Sequence, residues 1–191
     1  MLLLKSTISV IILGGLLLAC AYAEQLPPPL AANITFRCLW WSEAQMEAFN
    51  PNSPPPKTTE VTIHKWEYTD PVGVPHPDSV DVVVVLTNEG TAPLTGVVAV
   101  IAGQWHISPM KSRAKAVWSR LKPLQTWQSL TVTPGKPTVL RIPVDITTRI
   151  SELEKRGSWP RMFRASLTVR VEGTDKPLLN REVNLTIRPG D

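Results

Sequence analysis

The sequence predicts an all-β fold, an immunoglobulin-like Greek-key β-sandwich with one short helix. Apolar, strand-like runs recur between Pro, Gly and Asn turn signals. No long stretch carries helical periodicity. The run "VVVVL", Val82 to Leu86, is too uniformly apolar for a half-exposed strand. It asks for a central place in a covered sheet.

The first residues, "MLLLKSTISVIILGGLLLACAYAEQ", read as an export signal. Lys5 supplies a positive start, Ile8 to Leu18 an apolar core too short to span a bilayer, and Ala21-Tyr22-Ala23 a small-x-small cleavage site. Residues 1–23 are therefore expected to be removed, leaving 24–32 as a Pro-rich spacer and 33–191 as one sandwich domain. Leu17 to Cys20, "LLAC", resembles the bacterial lipobox, from which Leu18 departs. Membrane attachment follows only if Cys20 is lipidated, and the expected destination is otherwise periplasmic or secreted.

With the signal gone, Cys38 is the remaining cysteine, which rules out an internal disulfide. A buried apolar Cys beside Leu39 and Trp40 is the expectation, and an intermolecular disulfide the alternative. Asn33-Ile34-Thr35 and Asn184-Leu185-Thr186 match the glycosylation sequon. They matter only in a eukaryotic source, whereas the compact signal points to a bacterial envelope.

Ile34 to Trp41 is the first expected strand, followed by the breaker "NPNSPPPKTT". "EVTIHKWEY" alternates, placing Val61, Ile63 and Lys65 on one face and Thr62, His64, Trp66 and Tyr68 on the other. "DPVGVPHPD" is a loop. Val82 to Leu86 forms the central strand. Thr87-Asn88-Glu89-Gly90 then turns the chain as a hairpin, since Asn and Gly adopt positive φ at low cost. Leu94 to Ile101 follows, then Trp127 to Val132, Thr138 to Val144, Phe163 to Val171 and Leu178 to Ile187, the last two joined through Gly173 and Asp175. In "DITTRISELEKRG", Ile146, Ile150 and Leu153 share a helical face and Gly157 stands at the expected C-cap.

"VDVVVVLTNEGTAPLTGVVAVIAG" and "LTVTPGKPTVLRIPVDI" together resemble bacterial immunoglobulin-like modules of the CARDB type. These have an apolar strand ending in Asn-x-Gly, a second strand, and a Pro-Gly turn before a third. The resemblance covers roughly half of the mature chain. It implies a scaffold or binding role and no catalysis. The insert between Ile101 and Trp127 departs from the compact module.

Chemistry-bearing motifs are sparse. Gly-x-Ser-x-Gly, His-Glu-x-x-His, Cys-x-x-Cys and a Gly-rich phosphate loop are all missing from the sequence. Asp70, Asp78 and Asp81 gather with His76 around a Pro-rich loop, where solvated turn carboxylates are the simpler reading. "QWHISPM" pairs His106 with Met110, imidazole with soft thioether, a copper-compatible pair. A blue-copper site needs a Cys shortly before a His and a Met, and Cys38 is far upstream. His64 or His76 would have to be brought in by folding. A packed loop is expected there, with periplasmic copper handling as the alternative function.

Lys111, Arg113, Lys115, Arg120 and Lys122 occur without an acid among them, interleaved with Trp118 and followed by Trp127. Cations beside aromatics bind nucleic acid, anionic lipid or acidic protein surfaces, and export argues against nucleic acid. A solvated face, with Arg and Lys stems over Trp, is the plainer reading. The expectation is a non-catalytic binding or assembly module, without cofactor, that docks on another cell-envelope protein through this stretch. Partner identity and oligomeric state are left open.

Overall fold

The computed structural model describes residues 29–41, 44, 45, 48, 50, 52, 53, 57–67, 79–110 and 115–188. The signal segment, Cys20 and the Asp70–Asp78 loop lie outside the described residues.

Two sheets pack face to face. One has the order β2-β1-β4-β8, formed by β1 (Leu30–Trp40), β2 (Thr59–Ile63), β4 (Ser79–Asn88) and β8 (Thr138–Asp145). The other runs β3-β10-β9-β5, with β6 and β7 both on the far side of β5. It comprises β3 (Lys65–Glu67), β5 (Leu94–Pro109), β6 (Val117–Trp118), β7 (Lys122–Val132), β9 (Ser158–Val171) and β10 (Pro177–Arg188). The fold is thus the expected all-β sandwich. β1 begins at Leu30, which is buried, so Leu30 to Ala32 belong to the sandwich rather than to a spacer.

The valine run is central, between β1 and β8. Val82, Val84 and Leu86 face the core, each contributing roughly 1.5–3 kcal/mol by burial. Val83 faces the other way and is still buried. Above that outer face, Glu60 of β2 accepts from Arg37 of β1 and Arg141 of β8, and Arg141 also reaches Asp81 of β4. The long Arg stems carry charge into water while covering apolar surface. Opposite, Phe36 meets Phe163 across the two sheets edge to face at 5.9 Å.

Asn88-Glu89-Gly90 does not close a hairpin. It is an arch that carries the chain from β4 in one sheet to β5 in the other, and neither Asn88 nor Gly90 has a positive φ. Asn88 is buried because its side chain is a tie: Nδ2 donates to the carbonyls of Ala92 (2.8 Å) and Val132 (2.9 Å), and Oδ1 accepts from Gly90 N–H (2.9 Å). Gly90 is needed for space, since a Cβ there would stand 2.8 Å from the Pro29 ring. The β9–β10 connection is the expected hairpin, with Gly173 at φ +76°.

The alternation read across "EVTIHKWEY" breaks at His64. β2 pairs with β1 in the first sheet, and β3 lies parallel to β10 in the second. Changing sheets resets which side faces in, so Trp66 is buried and Lys65 is exposed.

The helix α1 (Ile146–Lys155) is as expected. Asp145 caps it by accepting from Thr148 N–H at 2.8 Å, Ile146, Ile150 and Leu153 are buried, and Gly157 follows the C-cap with φ +67°. Cys38 is buried and free among the described residues; burial, reinforced by the Asp81 charge, pushes its thiol up to about 11.

Candidate docking edge

The stretch read as an insert between Ile101 and Trp127 is largely strand. β5 continues to Pro109, β6 returns along its end, and β7 begins at Lys122. His106 pairs with Trp118 and Ile107 with Val117. Ser119 fastens the return twice: its Oγ accepts from Trp105 N–H (2.8 Å) and its N–H donates to Trp105 O (2.7 Å).

β7 pairs only with β5 among the described residues, and bulges distort that pairing. Leu124 is an extra residue between the Ile101–Gln125 and Ala102–Pro123 pairs. It lies over Gly103, where a Cβ would meet Leu124 Cδ1 at 3.1 Å and two Phe163 ring atoms at 2.8 Å. A second bulge leaves Ser129 at φ +52°, and a compensating one on β5 falls at Gly96, φ +63°.

The edge is unusual in what it exposes. Seven large hydrophobic side chains are exposed among the described residues, and five fall between positions 110 and 124: Met110 (53%), Val117 (63%), Trp118 (37%), Leu121 (47%) and Leu124 (37%). Around them Lys115, Arg120 and Lys122 are exposed. No Asp or Glu occurs from Gly90 to Val144, so this stretch supplies cations without counter-charges.

Trp118 is held in place. Its ring lies 4.8 Å from the His106 ring, tilted 32°, and the Arg164 guanidinium sits 4.2 Å from its centroid. Arg164 is itself fixed from β10: its Nε donates to Asn184 Oδ1 at 3.0 Å and its Nη1 lies 3.5 Å from a Glu182 carboxylate oxygen. An aromatic ordered on one side and exposed on the other is a pre-organised anchor.

The expected site residues therefore divide. Lys115, Trp118, Arg120 and Lys122 come together on one edge, whereas Lys111 and Arg113 lie outside the described residues. Trp127 is half-buried and packs against the core opposite Ala99. His106 engages Trp118 and Met110 is exposed; His64 is exposed at the sheet switch and His76 lies outside the described residues. Among the described residues no group of three or more His, Cys, Asp and Glu side chains is placed to hold a metal ion, and no helix is long and apolar enough to cross a membrane. Arg164, Val117, Leu121 and Leu124 were not singled out by the sequence. The apolar three become legible only once both faces of this edge are known to be uncovered. Arg164 lies too far away in sequence to be connected with Trp118.

The strand order and pairing define an all-β sandwich of two sheets. Among solved structures it resembles a CARDB domain from Pyrococcus furiosus, 11% identical, over 82% of this chain and 94% of that one, with a TM-score of 0.36. It also resembles a β-glucosidase from Listeria innocua (12% identical, 82% of this chain, 16% of that one, TM-score 0.35). A third likeness is to the sporulation control protein Spo0M from Bacillus subtilis (7% identical, 84% and 50%, TM-score 0.33). No protein-family model and no curated protein matches the sequence. At these similarities the fold assignment rests on the strand order and pairing themselves.

Proposed function

We propose that the protein is an exported, non-catalytic docking module that binds another cell-envelope protein through the β5–β7 edge. One observation carries this reading: the exposed apolar side chains of the described residues are concentrated between Met110 and Leu124, among cations with no acid in the same stretch of sequence. Trp and Arg dominate interface hot spots, and Trp118 and Arg164 are stacked here. The partner surface that fits is an apolar hollow with an acidic rim.

Contact is through side chains rather than by strand addition. β7 carries Lys122, Pro123 and two bulges, β8 carries Pro143, and β2 and β3 are short. Each of these features blunts a sheet edge against pairing with another chain. The test is capture from the native envelope with the native chain and with Arg120→Glu plus Lys122→Glu. A partner retained by the first and lost by the second, with added salt mimicking the loss, supports docking. Capture indifferent to charge reversal and to salt defeats it.

A further inference from the structure

We infer that the sandwich is a strut: the chain enters it at one pole, and an acidic partner protein docks near the other, remote from Pro29. This rests on the docking reading above and adds where the partner stands.

The entry point is fixed to the fold. Pro29 O accepts from Glu89 N–H at 2.7 Å, Leu30 is buried opposite Asn88, and Gly90 leaves room for the Pro29 ring. Asn88 ties the same corner to Val132, which pairs with Leu94 at the start of β5. A pull on the chain at Pro29 is thus passed to both sheets.

The docking edge lies towards the other end. Trp118 pairs with His106, twelve residues along β5 from Leu94. At about 3.3 Å per residue that separates entry from anchor by roughly 40 Å. The chain leaves the sandwich at the docking pole, because Thr186 of β10 pairs with Met162, which pairs with His106.

Charge distinguishes the two ends. The turns around the entry pole expose Glu89, Glu172 and Asp175 beside Lys136 and Lys176, whereas the docking edge exposes Lys115, Arg120 and Lys122, with Glu182 set behind them against Arg164. An acidic surface is repelled in part at the first and attracted at the second, which orients approach before contact.

The test places bulk at each pole of the full-length chain. A compact folded domain is inserted at Gly173, in the β9–β10 hairpin of the entry pole, or joined directly behind Asp191. Unchanged melting temperatures would show that both hosts are folded. The strut predicts that the Gly173 insertion captures the partner as the native chain does, while the Asp191 fusion weakens capture at least tenfold. Equal effects, or loss with the Gly173 insertion alone, overturn it. Loss of the charge-reversal effect in the unmodified chain would instead bring down the docking reading itself, so the two failures are distinct.

Discussion

Replacing Asn88 with Ala removes the tie between the two sheets at the β4–β5 arch. Three hydrogen bonds disappear, to Ala92 O, Val132 O and from Gly90 N–H. The Val132 bond is buried, so the orphaned carbonyl carries a desolvation penalty of about 1–3 kcal/mol. The other two are part-buried and water replaces them in part, which leaves about 0.5–1 kcal/mol each. The sum is about 2–5 kcal/mol, or roughly 5–20 °C in Tm for a domain of this size. Urea unfolding measures it directly, as a lower midpoint at unchanged slope. A second variant checks the cause. Asn88→Asp keeps the acceptor for Gly90 but sets a carboxylate against two carbonyls, so it should be at least as damaging at neutral pH and recover partly in acid. A loss below about 1 kcal/mol in Asn88→Ala would mean that Asn88 serves the turn alone and that the tie is incidental.

Gly103→Ala drives a Cβ to 2.8 Å from the buried Phe163 ring, which Phe36 and Trp105 hem in at 5.9 and 4.7 Å. The expected cost is about 1–3 kcal/mol of overpacking; Phe163→Leu in the same chain should return part of it, and full native stability in Gly103→Ala would refute the packing. In acid, Glu60 adds a pH dependence of its own. Hydrogen bonds from Arg141 and Arg37 lower its carboxyl from 4.5 to about 2. Its contribution is therefore complete above the unfolded value and is lost as pH falls from 4.5 towards 2, a dependence that Glu60→Gln should flatten. In alkali, Cys38 acts in the opposite sense. Its thiol is raised from 9.0 to about 11, so the unfolded chain ionises first and stability declines between those values, a decline missing from Cys38→Ala.

Much of the fold was legible because it is written locally. The valine run, the Ile146–Ile150–Leu153 face and the Gly173 hairpin each follow from periodicity or from one residue's conformational freedom. The errors came where tertiary contacts decide. Asn-x-Gly looks the same in sequence whether it closes a hairpin or arches between sheets, and only the position of Val132 tells them apart. The alternation through His64 misled because a change of sheet reverses inside and outside without marking the sequence. For the docking edge, the cations and Trp118 could be read directly, since a run without acids is visible as such. Trp127 could not be assigned, because burial depends on what lies opposite. Arg164 became a member only when β9 came to lie beside β5.

The central claim is that charge on the β5–β7 edge brings a partner in and that Trp118 keeps it there. Association and dissociation rates of the captured partner, measured on the native chain, on Arg120→Glu with Lys122→Glu, and on Trp118→Ala, test it most directly. The account predicts that charge reversal lowers mainly the association rate and does so less as salt is raised. It predicts that Trp118→Ala raises mainly the dissociation rate, by about 30-fold for a hot-spot loss near 2 kcal/mol, with melting temperatures nearly unchanged throughout. Rates that stay native in all the variants, in chains that remain folded, would show that the partner is held elsewhere and contradict the account.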